Sequence, residues 1–478
     1  MKNDKEEQTR VFWQIVIARL VPVSIGLGVL FLLYSLNAFG NYSTLVLILS
    51  IVVAGTAFDI NFYFHGKENF FIVMIINLTI RIVFLTSIFL LVKTPSDLGL
   101  YTLLYALMII GGYLSMWIML PTNLRKVKLK TLNFKEHMKH SLSLFLPVAA
   151  ASIYAIVDKT LIGVLVHGQT YQKVGYITIV VNLSDYENGL YYQAERMVRA
   201  LLSIILAFGT VMTTRNSIEY KNKRTGSLKK NVYKSFQFVF ALGVPLALGT
   251  ILIANSFVPL YFGEGYEKVG TLLMIYSPII LLIGTSNIFG MQLLLPTKRD
   301  KQYSISVLIG FAINIGFNCI LIPFYGSVGA VAGTIISEFF IAFIQYLYVR
   351  KEISMSVVFK SIYKYIIAGL IMLGVGYLFY YFVLNTNGVH NLINLIILVP
   401  SGVAVYYLVL LILKDRTVFT YTKVIMQKAR HAFIYTKYHI LNQSDTMNAL
   451  LTLPNKPIDS IKQKEFSIIE EDKINEKH

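Results

Sequence analysis

The chain has 478 residues, of which 55% are hydrophobic and only 14% are charged, and it carries a formal net charge of +18. Because soluble globular domains carry about a quarter charged residues, this composition excludes an ordinary soluble protein. The single cysteine, Cys319, excludes an intrachain disulfide and a Cys-x-x-Cys metal site.

Apolar runs of about 20 residues recur along the chain, a length that crosses roughly 30 Å of hydrocarbon as a helix. They predict an all-α polytopic membrane protein with about 12 transmembrane helices. The first run is too long, and too interrupted by Arg19, for a cleaved signal peptide, so it is taken as a retained span. The predicted spans are Val11–Tyr34, Ser43–Tyr63, Phe71–Val92, Leu100–Leu120, Leu142–Val166, Met197–Thr213, Tyr233–Phe257, Thr271–Leu295, Tyr303–Phe324, Ser327–Val349, Ile362–Leu384 and Leu392–Leu413.

Basic residues between the runs predict the orientation, since lysine and arginine accumulate in cytoplasmic loops. With the N-terminus inside, alternate loops hold most of these residues, and the most basic loops are 121–140 and 214–232. Membrane topology explains the positive charge better than nucleic-acid binding, because the charge is not gathered on one soluble face. We therefore expect a multi-pass protein of the plasma membrane with both termini in the cytoplasm.

The same pattern predicts the domain organisation. An N-terminal membrane lobe of about six spans covers 1–213, a basic cytoplasmic loop covers 214–232, and a C-terminal membrane lobe of about six spans covers 233–413. A cytoplasmic tail follows over 414–478. The first part of this tail is basic with apolar residues at helical spacing, which is typical of a helix on the inner leaflet. Its last part has the composition of a disordered segment.

Charged residues inside the predicted spans are the strongest functional signal, because a charge at the bilayer centre costs about 2.5 to 3.5 kcal/mol even on a lenient scale. One interpretation is that they line a water-filled cavity, where cations hold a phosphate or diphosphate and carboxylates orient the cations. The alternative is that they form ion pairs or reach the membrane surface and serve assembly only. Lys159 and Arg81 are the best cationic candidates. The residues are Arg19, Asp59, Arg81, Asp158, Lys159 and Glu338.

Two further features leave alternatives open. Gly329 and Gly333 form a small-xxx-small pair, which indicates either close helix packing or a place where the helix flexes. The segment 167–196 is rich in tyrosine beside amides and carboxylates, a composition that suits sugar recognition as well as anchoring at the membrane interface.

Motifs of catalysis and nucleotide binding are absent from the sequence. It contains no Walker A loop, no HExxH and no GxSxG, so neither an enzyme nor a cofactor is expected. Without a nucleotide site, any transport by this chain would have to take its energy from an ion gradient or from consumption of the substrate.

Several segments resemble the Wzx-type polysaccharide flippases, the polysaccharide transporter family of the multidrug, oligosaccharidyl-lipid and polysaccharide exporter superfamily. The resemblance extends over Phe12–Ile353. It is carried by DINFYFHGKENF at Asp59–Phe70, by LPVAAASIYAIVDKTLIG at Leu146–Gly163, and by the stretch Gly284–Glu338 with its glutamine, basic turn, Gly-Asn helix and final glutamate.

The resemblance implies two pseudo-symmetric helical lobes around a central cavity. It also implies flipping of undecaprenyl diphosphate-linked oligosaccharide to the outer leaflet of a bacterial membrane by alternating access, driven by H⁺ or Na⁺, for capsule or exopolysaccharide biosynthesis. The implied partners are the lipid-linked oligosaccharide, membrane lipids, a polysaccharide polymerase and glycosyltransferases, without nucleic acid. The functional positions that it implies are Asp59, Asp158, Lys159, Gln292 and Glu338.

This chain departs from the family pattern at its start. Family members usually begin with two further spans, so these are expected to be missing here and the N-terminal lobe to be incomplete. Two other functions remain open: an ion-coupled drug or small-molecule antiporter of the same superfamily, and a membrane scaffold of a polysaccharide assembly complex that does not transport. Several buried cations favour an anionic substrate over the first, and the missing helices favour the second.

Overall fold

The computed structural model describes residues 5–67, 69–120, 156–174, 177–384 and 391–415. These residues are helical apart from turns and one antiparallel hairpin, so the prediction of an all-α membrane protein is confirmed. The chain forms two compact units, Met1–Ile153 and Tyr154–His478.

The first unit packs its helices around aromatic side chains. Phe12 lies edge-on to Trp13 and Tyr63, and it is buried together with Ile60 and Phe64. The Trp117 indole N–H donates to the Phe58 carbonyl. The described helices are α1 (Lys5–Ser35), α2 (Ser43–Gly55), α3 (Asn61–Gly66), α4 (Phe70–Leu91) and α5 (Leu98–Ile118).

The described part of the second unit begins with a helix α6 over 156–165, continues through a hairpin of β1 (Gln169–Val174) and β2 (Ile177–Asn182), and then contains eight further helices. Its core is a continuous apolar cluster, in which Tyr191, Tyr276 and Tyr365 are among the largest fully buried side chains. The helices are α7 (Leu183–Lys221), α8 (Thr225–Phe262), α9 (Glu267–Tyr276), α10 (Ile279–Phe289), α11 (Asp300–Tyr325), α12 (Ser327–Val349), α13 (Met355–Phe379) and α14 (Asn391–Ile412), with π-helical turns at Gly290–Leu294 and Tyr380–Leu384.

Eleven helices in the described part of the chain are long and apolar enough to cross a membrane, and they correspond to eleven of the predicted spans. The predicted span Leu142–Val166 lies mostly outside the described residues, and its portion 156–165 is helical. Large apolar side chains such as Leu370, Ile396 and Val403 are exposed, as expected of surfaces that face lipid.

The basic segment 214–232 was predicted as a loop, but most of it is helical. Helix α7 continues to Lys221 and α8 begins at Thr225, so only three residues separate them. The physical reason is that a buried stripe continues beyond the apolar span, because Leu228 and Val232 are spaced one helical turn apart and are both buried. The predicted lobe boundary at 213 stays a prediction, whereas the compact units divide between Ile153 and Tyr154. Residues 121–140 and the tail beyond 415 lie outside the described residues.

Helices α11 and α12 form a hairpin that depends on glycine. The turn residue Gly326 has φ of +56°, a conformation that favours glycine. A Cβ on Gly329 would overlap the backbone carbonyl of Leu321, and a Cβ on Gly333 would overlap the side-chain oxygen of Asn318. The predicted close packing at this glycine pair is confirmed, since neither position leaves room for a side chain.

Gly333→Ala is therefore expected to destabilise the second unit by about 1–3 kcal/mol, as overpacking of a tight contact usually does. The measurement is the thermal midpoint of the purified full chain in detergent. Gly316→Ala on α11 is the matched control, because nothing lies within 4 Å of a Cβ there. Equal midpoints for the two variants would contradict the prediction.

Candidate functional site

Asp158 is the centre of a polar cluster inside the second unit. Its side chain is buried, and three other helices donate hydrogen bonds to it. The Tyr191 hydroxyl donates to Oδ2 at 2.6 Å, the Thr334 hydroxyl donates to Oδ2 at 2.8 Å, and the Asn318 amide donates to Oδ1 at 2.6 Å. We call Asp158, Tyr191, Asn314, Asn318 and Thr334 the Asp158 cluster.

The hairpin geometry explains how two of these donors meet. Asn318 and Thr334 are each eight residues from Gly326, so an antiparallel pair of helices with a tight turn places them opposite each other. Asn314 lies one turn before Asn318 on the same face of α11 and accepts a hydrogen bond from its amide at 3.2 Å. The cluster therefore sits about two turns into the helices from the hairpin end.

The cluster holds a carboxylate without a cation. Among the described residues no basic side chain pairs with Asp158, although Lys159 is its neighbour in sequence. Adjacent residues on a helix point about 100° apart, which directs Lys159 elsewhere. In addition, Asn318 Oδ1 and Asn314 Nδ2 are buried without a hydrogen-bond partner in the described part of the chain. One amide oxygen and one amide N–H₂ group of the cluster thus remain available for a further hydrogen bond or a ligand, next to the buried Asp158 carboxylate.

Lys159 belongs to a second group, with Glu195 and Arg199 of α7. Lys159 Nζ lies 2.7 Å from Glu195 Oε2, and Arg199 Nε lies 2.7 Å from Glu195 Oε1. The Glu195 side chain is only 6% exposed, whereas those of Lys159 and Arg199 are 29% and 51% exposed. Lys159 also lies over the Tyr192 ring, 5.3 Å from its centre. Two cations therefore share one buried carboxylate, and the group keeps a positive charge with free N–H donors.

The remaining candidates of the second unit lie in other surroundings. Gln292 is fully buried in the π-helical turn after α10, where its side-chain amide donates to Asn287 Oδ1 at 3.0 Å and its backbone carbonyl accepts from the Asn216 amide at 2.7 Å. Among the described residues, no side chain is hydrogen-bonded to both Gln292 and Asp158. Glu338 is buried on α12, one turn after Thr334 and on the same face of the helix.

The first unit brings together Arg19 and Asp59. The guanidinium of Arg19 lies 3.4 Å from Asp59 Oδ2, donates to the Asp59 backbone carbonyl, and stacks 5.0 Å from the centre of the Phe62 ring. Both side chains line a cavity of about 380 Å³ together with Thr56 and Tyr113. Arg81 is not part of this site: it is exposed on α4, and no hydrogen bond or ion pair joins it to another described residue.

Sequence reasoning missed several residues of the site. Glu195 and Arg199 stand at a spacing of four, the usual signal of a helical ion pair, but the predicted start of the span Met197–Thr213 separates the two residues. Tyr191 was considered only as a sugar contact or an interfacial anchor, yet it is fully buried against Asp158. Thr334 carries no sequence signal, because a threonine inside an apolar span is common.

Comparisons with known proteins agree with the resemblance seen in the sequence motifs. No protein-family model matches the chain. It is 22% identical over 355 residues to a putative O-antigen transporter of Escherichia coli strain K12, covering 73% of this chain and 81% of that protein. It is 26% identical over 133 residues to the lipopolysaccharide biosynthesis protein WzxC of the same strain, covering 27% of this chain and 26% of that protein. The predicted resemblance to Wzx-type flippases is confirmed.

Two solved structures share the fold. The lipid II flippase MurJ in an inward closed conformation superposes with a TM-score of 0.64 at 17% identity, covering 87% of this chain and 86% of that one. An inward-facing multidrug resistance transporter of the MATE family superposes with a TM-score of 0.57 at 16% identity, covering 75% of this chain and 83% of that one. Both are polytopic helical membrane proteins, and at this identity the likeness concerns the fold alone.

Proposed function

We propose that the chain is a flippase that moves undecaprenyl diphosphate-linked oligosaccharide from the inner to the outer leaflet by alternating access, for the biosynthesis of a cell-surface polysaccharide. The observation that carries this proposal is the pair of partly exposed cations, Lys159 and Arg199, held by the buried Glu195. The similarity to a putative O-antigen transporter supports the choice of substrate class.

The geometry of this group suits a diphosphate. Lys159 uses one of its three N–H donors on Glu195, and Arg199 contacts Glu195 through Nε, which leaves its two terminal nitrogens for a ligand. Such donors bind phosphate oxygens through charge-assisted hydrogen bonds, and guanidinium does so in a bidentate way. The polyprenyl tail stays in lipid, because only the polar head needs a water-accessible site. In this proposal both termini face the cytoplasm and the β1–β2 hairpin faces outward.

The Asp158 cluster is the proposed site of the coupling ion, which is H⁺ or Na⁺. For Na⁺, the Asp158 carboxylate, the amide oxygens of Asn314 and Asn318 and the Thr334 hydroxyl supply the oxygen ligands that hard cations take. For H⁺, the carboxylate itself takes the proton. In either case neutralising Asp158 weakens its attraction for donors on α7, α11 and α12, which links the ion to the packing of three helices.

The test is complementation in a bacterium that lacks its own glycan flippase and makes a known lipid-linked precursor. We expect expression of this chain to restore surface polymer, detected with an antibody or lectin on intact cells, while empty vector does not. Failure with precursors of O-antigen, capsule and exopolysaccharide, at normal membrane expression, would contradict the proposal and favour the scaffold hypothesis.

The second candidate function is an ion-coupled drug or small-molecule antiporter. It is favoured by a buried carboxylate without a basic partner among the described residues, the kind of group that exchanges a proton for a cation. A strain without its main drug exporters separates the two functions. An antiporter would raise resistance to cationic drugs without restoring surface polymer, and a flippase would do the reverse.

A further inference from the structure

A second cavity, of about 470 Å³, lies at the end of the second unit opposite the β1–β2 hairpin. It is formed where the end of α7, the start of α8, the turn before α11 and the turn after α12 meet. Its lining includes Thr225, Lys229, Arg299 and Glu352. A volume of this size falls in the range of pockets that bind small molecules.

Arg299 is held in a fixed position within this cavity. Its terminal nitrogens donate to the two oxygens of Glu352 at 2.6 and 3.0 Å, and its Nε donates to the Thr297 hydroxyl at 2.8 Å. A guanidinium has five N–H donors, so two remain for a ligand. Its side chain is only 22% exposed, which means that little water competes for those donors.

The charge around the cavity is strongly positive. Glu352 compensates Arg299, while Lys229 has no ion-pair partner among the described residues. The segments 219–230, 298–301 and 350–352 contain ten basic and three acidic side chains. Such an excess raises the local concentration of anions and favours their binding in a concave site.

The depth of the cavity indicates which anions it meets. Lys229 and Arg299 each precede the first residue of a predicted apolar span, Tyr233 or Tyr303, by four residues, or about 6 Å along the helix. The headgroup layer on each side of the hydrocarbon is roughly 5–8 Å thick. The cationic groups thus lie at headgroup level, where basic pockets between helices bind anionic lipids.

We propose that this cavity binds the phosphate group of an anionic membrane lipid, with Arg299 and Lys229 as the phosphate ligands. Glu352 orients Arg299 and at the same time keeps the site from holding a phosphate too tightly, since its negative charge opposes the ligand. The site is separate from the Asp158 cluster and from the Lys159–Glu195–Arg199 group, so it is independent of the proposed transport function.

The experiment measures the thermal midpoint of the purified full chain in detergent with added phosphatidylglycerol or phosphatidylcholine, and in parallel with glycerol 3-phosphate or inorganic phosphate. A bound ligand raises the midpoint as its concentration exceeds its dissociation constant. We expect phosphatidylglycerol to raise the midpoint and phosphatidylcholine not to. In the double variant Lys229→Gln with Arg299→Gln, lipid binding should weaken about tenfold to a hundredfold, the loss expected for hydrogen bonds to a charged group.

The matched control is the double variant Arg350→Gln with Lys351→Gln, which removes the same charge from the same end outside the cavity lining. It should keep the wild-type response. Glu352→Gln is a second test, which does not depend on correct folding of the first double variant. It should strengthen the lipid response, because it removes the charge that opposes the phosphate. Equal responses to the two lipids, or equal loss in both double variants, would overturn the proposal. An equal response to glycerol 3-phosphate would show that the ligand is a soluble phosphate ester and refute the lipid.

Discussion

Asp158→Asn is expected to fold like the wild-type protein and yet to reduce transport at least about tenfold, because it removes a buried charge while its hydrogen bonds can be rearranged. The asparagine oxygen can accept from Tyr191 and Thr334, which both donate to the same carboxylate oxygen. Its new N–H₂ group takes the place of the oxygen that accepts from Asn318 Nδ2, so the Asn318 amide has to flip. The flip turns Asn318 Oδ1, which is buried without a partner among the described residues, toward the N–H₂ group that donates to it. The measurement is surface polymer in the complemented strain, together with the thermal midpoint of the purified protein.

Asp158→Ala is the contrasting variant. It removes an acceptor from Tyr191, Thr334 and Asn318. Asn318 and Thr334 keep their hydrogen bonds to Asn314 Oδ1 and to the Ala330 carbonyl, but the buried Tyr191 hydroxyl loses its 2.6 Å acceptor, and a buried unsatisfied donor costs about 1–3 kcal/mol. We expect a clearly lower thermal midpoint for this variant and a normal one for Asp158→Asn. If Asp158→Asn transports like wild type, Asp158 is a structural acceptor and the coupling ion binds elsewhere.

Lys159→Ala should have an effect of similar size on transport, for a different reason. Removing Lys159 leaves Glu195 paired with Arg199. The buried carboxylate therefore keeps a cationic partner, and folding should be preserved. One of the two proposed phosphate ligands is lost, and a hydrogen bond to a charged group contributes about 1.5–3 kcal/mol, or roughly ten- to a hundredfold. We expect surface polymer to fall by that factor at equal membrane expression.

Two further variants sharpen this test. Lys159→Arg keeps the positive charge and should restore part of the transport, whereas Lys360→Ala removes an exposed lysine of α13 and should leave it unchanged. Transport by Lys159→Ala at the wild-type level would refute the role of Lys159 as a phosphate ligand. A normal response of Arg199→Ala combined with loss in Lys159→Ala would restrict the site to the lysine.

The sequence predicted the spans well because hydrocarbon thickness imposes a length and a composition that can be read locally. It failed where helices continue outside the membrane. Residues 183–196 and 214–221 are polar, so a hydropathy argument ends the span, yet buried side chains such as Tyr191 and Asn216 keep α7 helical there. Tertiary packing, which sequence windows do not include, decided these boundaries.

The site was predictable in part. The cost of a charge in a span singled out Asp158, Lys159 and Asp59, and the structure gives each of them specific partners. The partners themselves are distant in sequence: Asn318 lies 160 residues from Asp158, and Thr334 lies 176 residues away. Of these contacts, only one could have been inferred from the sequence: Asn318 and Thr334 face each other because each lies eight residues from the tight turn at Gly326.

The length of α7 has a mechanical consequence. This helix contains 39 residues and no proline, and it carries Glu195 about a third of the way along and Lys221 as its last residue, about 39 Å apart along its axis. A continuous helix can act as a lever, so a tilt of about 10° around Glu195 displaces Lys221 by roughly 7 Å. In the proposed flippase, binding of an anion to the cations at Glu195 would thus move Lys221 at the far end of α7 without any helix unwinding.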